Sequence, residues 1–139
     1  MNPEVLLVED SADDVLFIRR AFRKANLKAT LSVASDGEQA VAQLSSERAP
    51  TLVLLDLKLP RLSGLEVLTW MRAQPLLTLV PVVVLTSSGE SIDVQRAYAA
   101  GANSYLVKPV QSADLDRMIA ALGLYWLEFN TRPHTPRTN

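Results

Sequence analysis

Cysteine is missing from this 139-residue chain, and histidine occurs once. Without thiols there is no disulfide scaffold and no thiolate metal centre. A reducing compartment, the cytoplasm, is the expected setting. The one histidine, His134, falls in a polar tail, residues 130–139, that carries two prolines and is expected to be flexible and idle. An excess of charge of one sign is also missing. The chain holds 14 Lys and Arg against 15 Asp and Glu, a net charge of -1, which leaves no electrostatic footprint for nucleic acid. The basic cluster Arg19, Arg20, Arg23 and Lys24 reads as the solvated face of a helix. No apolar run approaches the roughly 20 residues that span a bilayer. The opening Met-Asn-Pro-Glu has neither the basic stretch nor the apolar core of a signal peptide. There is no internal repeat, low-complexity tract or linker, so residues 1–129 are expected to form one domain.

What the chain does have is 48% hydrophobic residues, enough to bury a core, arranged in short runs between helical patterns. Val5-Leu6-Leu7-Val8 is followed by Val15, Ile18, Phe22 and Ala25 on one helical face. Residues 31–34 form a second run. Ser35 and Glu38 then fit a capping box, which predicts a helix from there to about residue 47. Leu52-Val53-Leu54-Leu55 and Val82-Val83-Val84-Leu85 are apolar at every position, as in parallel strands buried on both faces. Ser63 and Glu66 make a second capping-box pattern ahead of Val67, Leu68 and Met71. A helix is expected over 92–100 with Gly101 as its stop, then a short strand at 105–107 and a last helix over 112–129. Five strands alternating with five helices predict a doubly wound α/β fold with a parallel sheet. Right-handed crossovers then place helices on both faces. In that architecture ligands sit beyond the carboxyl ends of the strands.

Those ends carry the unusual residues. The first strand runs into Glu9-Asp10, the third into Asp56, the fourth into Thr86-Ser87-Ser88, and the fifth into Lys108-Pro109. Two carboxylates about 4 Å apart repel by roughly 4 kcal/mol at an effective dielectric of 20. Such a cluster needs raised pKa values or a cation. Hard oxygen donors with open positions suit Mg²⁺, which shares its shell with phosphate oxygens. A carboxylate nucleophile, a metal, an ammonium and a hydroxyl are what phosphoryl transfer to an aspartate requires.

Taken together, Leu7-Val8-Glu9-Asp10, Leu54-Leu55-Asp56-Leu57-Lys58-Leu59-Pro60, Ser63-Gly64, Val84-Leu85-Thr86, Gly101-Ala102 and Tyr105-Leu106-Val107-Lys108-Pro109 resemble the receiver domains of two-component response regulators. The resemblance implies a flavodoxin-like sheet of strand order 2-1-3-4-5 and no separate enzymatic output. It implies Asp56 as the phosphoryl acceptor. Asp10 and Asp56 would bind Mg²⁺ directly, Glu9 through water, and the Lys58 backbone carbonyl would add a ligand. Mn²⁺ or Ca²⁺ can substitute. Lys108 would pair with the phosphoryl oxygens, Thr86 would move to bond them, and Tyr105 would swing inward behind it. The Lys108–Pro109 peptide is free to be cis, an isomer that X-Pro bonds tolerate. Water attacking the phosphoryl group would pass Lys58 and Ser88, so these two are expected to control dephosphorylation.

The chain is also similar to the small regulators paired with bacterial phytochrome histidine kinases. The Lys58-Leu59-Pro60 loop, Asp36-Gly37-Glu38-Gln39-Ala40 and the ending Leu124-Tyr125-Trp126-Leu127-Glu128-Phe129 carry that likeness. The implied partner is a sensor histidine kinase of that type, with output through protein contacts and no direct nucleic-acid or membrane binding. Leu115, Met118, Ile119 and Leu122 already fill one apolar stripe of the last helix. Leu124, Tyr125, Trp126 and Phe129 are therefore expected to face outward and build a homodimer. Three rivals fit less well. A flavin site of the same topology needs a small-residue phosphate loop where Glu9-Asp10-Ser11-Ala12-Asp13-Asp14 stands. An aspartate-based phosphatase needs a second Asp where Lys58 stands. A pseudo-receiver would not need the complete acceptor set.

Overall fold

The computed structural model describes residues 2–46 and 48–133; His134 and the rest of the expected tail, like Glu47, lie outside the described residues. Five strands, β1 (Glu4–Val8), β2 (Thr30–Ala34), β3 (Leu52–Leu55), β4 (Val82–Thr86) and β5 (Ser104–Val107), form one parallel sheet of order β2-β1-β3-β4-β5. Helices α1 (Ala12–Lys24), α2 (Gly37–Ser46), α3 (Gly64–Ala73), α4 (Ser91–Ala100) and α5 (Ser112–Gly123) make the crossovers. Among the described residues no helix is long and apolar enough to cross a membrane.

The continuous apolar runs exist because alternate residues of each strand feed opposite layers. Leu6, Val8, Val53, Leu55, Val82 and Val84 pack with Ala40, Leu44, Val67, Leu68, Met71 and Ala97 of α2, α3 and α4. Val5, Leu7, Leu52, Leu54, Val83 and Leu85 pack with Ile18, Ala21 and Phe22 of α1 and Leu115, Ile119 and Leu122 of α5. The register sets Val8 beside Leu55 and Leu55 beside Val84, so the first residues past β1 and β3 emerge together at one edge.

Helix ends follow local chemistry, with two departures from expectation. Ser63 and Glu66 form the complete capping box of α3, and Gly101 takes a left-handed conformation (φ 110°) that ends α4. At α2 the cap lies one residue later than Ser35. Asp36 Oδ1 accepts from the Gln39 amide at 2.8 Å, while the Ser35 amide and hydroxyl both reach the Gln39 side chain. Asp is the better partner because its carboxylate is charge-assisted at a helix N-terminus. The last helix is not α-helical throughout. It continues from α5 as a π-helical segment, Leu124–Phe129, closed by an Asn130 N–H bond to the Tyr125 carbonyl at 2.6 Å. No peptide bond among the described residues is cis, so Lys108–Pro109 is trans.

One charged side chain ties the far edge together. From α3, the Arg72 guanidinium donates to the carbonyls of Gly101 (2.8 and 3.0 Å), Val80 (2.8 Å), Thr78 (3.1 Å) and Leu77 (3.2 Å), and to Asn103 Oδ1 (2.9 Å). At the opposite edge Gly64 lets α3 start against the turn after β3. Its amide bonds the Leu57 carbonyl at 3.0 Å, and a Cβ there would collide with the Asp56 carbonyl oxygen and lie 2.7 Å from Leu57 Cα. Because the obstacles are backbone, Gly64→Ala should lower stability by about 1–3 kcal/mol through overpacking. Urea unfolding checks this; an unchanged midpoint would show that the turn has slack.

Candidate functional site

The register gathers Glu9, Asp10, Asp56, Thr86 and Lys108 at the carboxyl edge of the sheet. The Asp56 amide bonds the Val8 carbonyl (3.0 Å) and the Lys108 amide bonds the Thr86 carbonyl (2.7 Å), so these two residues are pinned to the neighbouring strands where their side chains leave. Glu9, Asp56 and Thr86 are buried, while Asp10 is exposed.

Every polar atom of the Asp56 carboxylate has a partner. Thr86 Oγ1 donates to Oδ1 at 2.7 Å and the Lys58 amide to the same oxygen at 3.2 Å. Lys108 Nζ reaches Oδ2 at 3.1 Å, Glu9 Oε1 at 2.5 Å and Asp14 Oδ2 at 2.9 Å. Burial opposes the Lys108 charge, but the bonds to Glu9 and Asp14 and the fields of Asp56 and Glu9 more than offset it, so its pKa is raised. Glu9 is pushed up to about 7, by burial first and by Asp56 in addition, against the opposing effect of Lys108. Carboxylate oxygens of Glu9, Asp10 and Asp56 lie within 4.8 Å of one another. A crowded set of hard oxygens with one member held above its usual range fits a small divalent cation.

The remaining expected residues divide. Tyr105, half-buried, donates its hydroxyl to the Ser88 carbonyl at 2.7 Å and packs against the α2–α4 layer. Its phenol is raised by burial, with Asp93, Asp56 and Glu90 adding to the shift and the Ser88 bond opposing it. The Ser88 hydroxyl does not enter the pocket, since it bonds Asp93 Oδ2 of α4 at 2.5 Å. The Lys58 side chain is exposed beside Asp56. Leu124, Tyr125 and Phe129 are exposed at 46%, 53% and 70%. Trp126 departs from the outward expectation. It is half-buried against the α1–α5 layer with Leu127, because it falls four residues after Leu122 and extends the helix's own apolar stripe. Asp14, Asp93 and Arg72 were not singled out in the sequence.

The raised Glu9 gives a pH dependence in metal-free protein. Its folded-state value near 7 stands above the ordinary 4.5, so its contribution to stability is complete below pH 4.5 and is lost as pH rises through 7. With chelator present, wild type should match Glu9→Gln near pH 4.5 and fall below it by up to about 3 kcal/mol near pH 8. Denaturant melts across that range test the sign; a wild type that gains on Glu9→Gln with rising pH would contradict it.

A family model for the response regulator receiver domain matches residues 5–120. The probable methanogenesis regulatory protein FilR2 of Methanothrix harundinacea is 38% identical over 134 residues, 93% of this chain and 86% of that protein. Response regulator Rcp1 of Synechocystis sp. is 36% identical over 135 residues, 93% of this chain and 92% of that protein. The crystal structure of the Mn²⁺-bound form of Rcp1 matches with a TM-score of 0.87, covering 95% of this chain and 99% of that one. The phosphorylated cyanobacterial phytochrome response regulator RcpA matches with a TM-score of 0.90 at 30% identity, covering 96% of this chain and 100% of that one. With the strand order, the acidic edge and these matches in agreement, the chain belongs to the response regulator receiver domains.

Proposed function

We propose that this receiver domain, residues 1–129, takes a phosphoryl group onto Asp56 from a sensor histidine kinase. The observation that carries the reading is the Asp56 carboxylate itself, buried at a strand end between the Thr86 hydroxyl and the Lys108 ammonium. In the transfer, an Asp56 carboxylate oxygen attacks the phosphorus of a phosphohistidine. The new O–P bond gives an acyl phosphate; the N–P bond breaks, its electron pair stays on the imidazole, and that ring takes a proton from solvent. Glu9, Asp10, Asp56 and the Lys58 main-chain carbonyl would hold Mg²⁺, with Mn²⁺ or Ca²⁺ as substitutes. That ion supplies positive charge against the phosphoryl oxygens. Lys108 balances the same charge from the other side. The Thr86 hydroxyl exchanges a carboxylate acceptor for a phosphoryl one, and the loop that follows it brings Ser88 and, through its carbonyl, Tyr105 along. Receiver-domain response regulators are not turnover enzymes. The chain's chemistry is its own phosphorylation and the return of the acyl phosphate to carboxylate and phosphate by water.

The kinase reading is a phytochrome-type histidine kinase, supported by the likeness to Rcp1 and RcpA. Phosphotransfer profiling against such a kinase and an unrelated one tests it; equal rates would remove the preference.

Incubation with acetyl phosphate should give one phosphoryl adduct by intact mass, dependent on Mg²⁺ and absent in Asp56→Asn. An adduct that survives that substitution, or forms equally in chelator, overturns the assignment. Water reaching the acyl phosphate passes the exposed Lys58 side chain, a long cation unable to act as a base while protonated. Decay in Lys58→Asn should therefore be several-fold faster than in wild type.

The outward Leu124, Tyr125 and Phe129 support a homodimer through the end of the chain's last helix. Exposed aromatic groups are favoured anchors of contacts, and a two-fold pair needs one self-complementary patch. Sedimentation should show a concentration-dependent dimer in wild type and a monomer in Tyr125→Ala/Phe129→Ala. A wild type that stays monomeric into the high micromolar range rules the pairing out.

A further inference from the structure

Asp14 sits in a place that suggests a routine role. Ser11 caps α1, and Asp14 follows three residues later, the spacing of a capping box. Only half of that box is made. The Asp14 amide donates to Ser11 Oγ at 3.2 Å, but the Ser11 amide donates to Glu9 Oε2 at 3.1 Å. Glu9 has taken the bond that the Asp14 carboxylate would otherwise accept. The Asp14 side chain, 37% exposed, turns instead to Lys108 Nζ at 2.9 Å.

An ammonium has three N–H donors, and Lys108 meets three carboxylates, those of Glu9, Asp14 and Asp56. The reaction proposed above changes two of them. Asp56 becomes an acyl phosphate, and Glu9 belongs to the oxygen cluster that suits a cation. Asp14 is in neither set. It is the one partner of Lys108 whose chemistry is the same before and after transfer. A lysine side chain is long and rich in rotamers, so an ammonium that loses both other partners also loses its orientation unless something else holds it.

We propose that Asp14 is a positioning residue for Lys108: it anchors the ammonium at the pocket wall while Asp56 and Glu9 change partners, and so keeps it aimed at the incoming phosphoryl oxygens. This rests on Asp56 being the phosphoacceptor. The competing role for Asp14 is local, a negative charge in the first turn of α1 that favours the helix N-terminus. Asp13, exposed in the same turn, shares that role and, among the described residues, is not a partner of Lys108.

The experiment compares wild type, Asp14→Asn, Asp14→Glu and Asp13→Asn, each also in a Lys108→Ala background. Two readouts are taken: the rate of Asp56 labelling by acetyl phosphate with Mg²⁺, and trace acetylation of the Lys108 amine in chelator. Asp14→Asn should slow labelling about three- to tenfold, the size of one partly exposed charge pair carried into a barrier. It should also raise Lys108 acetylation, and Asp14→Glu should recover much of both. Asp13→Asn should do neither, and Asp14→Asn should have no further effect once Lys108 is Ala. Equal slowing with and without Lys108, or equal effects of Asp13→Asn and Asp14→Asn, overturns the anchor. Failure of wild type to label Asp56 overturns the phosphoacceptor reading instead, and the acetylation readout then still decides whether Asp14 holds Lys108.

Discussion

Lys108 stands against four carboxylates, and the carboxyl edge of this sheet depends on that meeting. Three of them, Glu9, Asp14 and Asp56, bond its ammonium directly, and Asp10 lies just beyond. Each like-charged pair at about 4 Å would cost roughly 4 kcal/mol at an effective dielectric of 20. One cation cannot cancel four anions. Burial first, and Asp56 in addition, raise Glu9 toward neutrality, and the protein's own groups leave the pocket short of positive charge. That deficit makes a divalent cation and a transferable phosphoryl group compatible in one small space, since each arrival offsets the charge brought by the other. The sheet makes the arrangement rigid. The backbone of Asp56 and of Lys108 is bonded to neighbouring strands at the positions where their side chains leave.

Two hydroxyls, one at the end of β4 and one in the loop after it, face different ways. Thr86 is buried and turned to Asp56, whereas Ser88 is turned to Asp93 on α4 and offers its carbonyl to Tyr105. The end of β4 thus touches the Asp56 carboxylate, and the loop after it touches two other secondary-structure elements. Only two peptide units separate Thr86 from Ser88, so the two sets of bonds are joined by backbone.

The alternation of strands and helices was readable because it rests on signals that are dense in the sequence, whereas the strand order came from the family resemblance. Four runs of aliphatic residues, a capping box at Ser63 and Glu66, and Gly101 each act through the residue that carries them. The strand-end residues were readable for the same reason, since a parallel sheet puts its chemistry at one edge. What escaped depends on partners that local spacing does not name. The α2 cap passes from Ser35 to Asp36 because Gln39 can serve both. Asp14 looks like a cap until Glu9 is seen to hold the Ser11 amide. Arg72 bonds four backbone carbonyls, which every residue owns and no composition reveals. Trp126 read as surplus apolar mass, although it extends the stripe that runs through Ile119 and Leu122. The π-helical winding at Leu124–Phe129 has no residue signature at all.

Arg72 also decides what kind of motion α4 can make. Its guanidinium clamps the carbonyl of Gly101, where α4 ends, to the loop that leads into β4. The other end of α4 hangs on the Ser88 hydroxyl through Asp93. A helix of 10 residues is about 15 Å long, so it is a short beam with one bolted end and one end hooked to the loop after Thr86. Such a beam cannot slide along its axis. The end of α4 that meets the loop after Thr86 is therefore its first turn, while its last turn is held by Arg72.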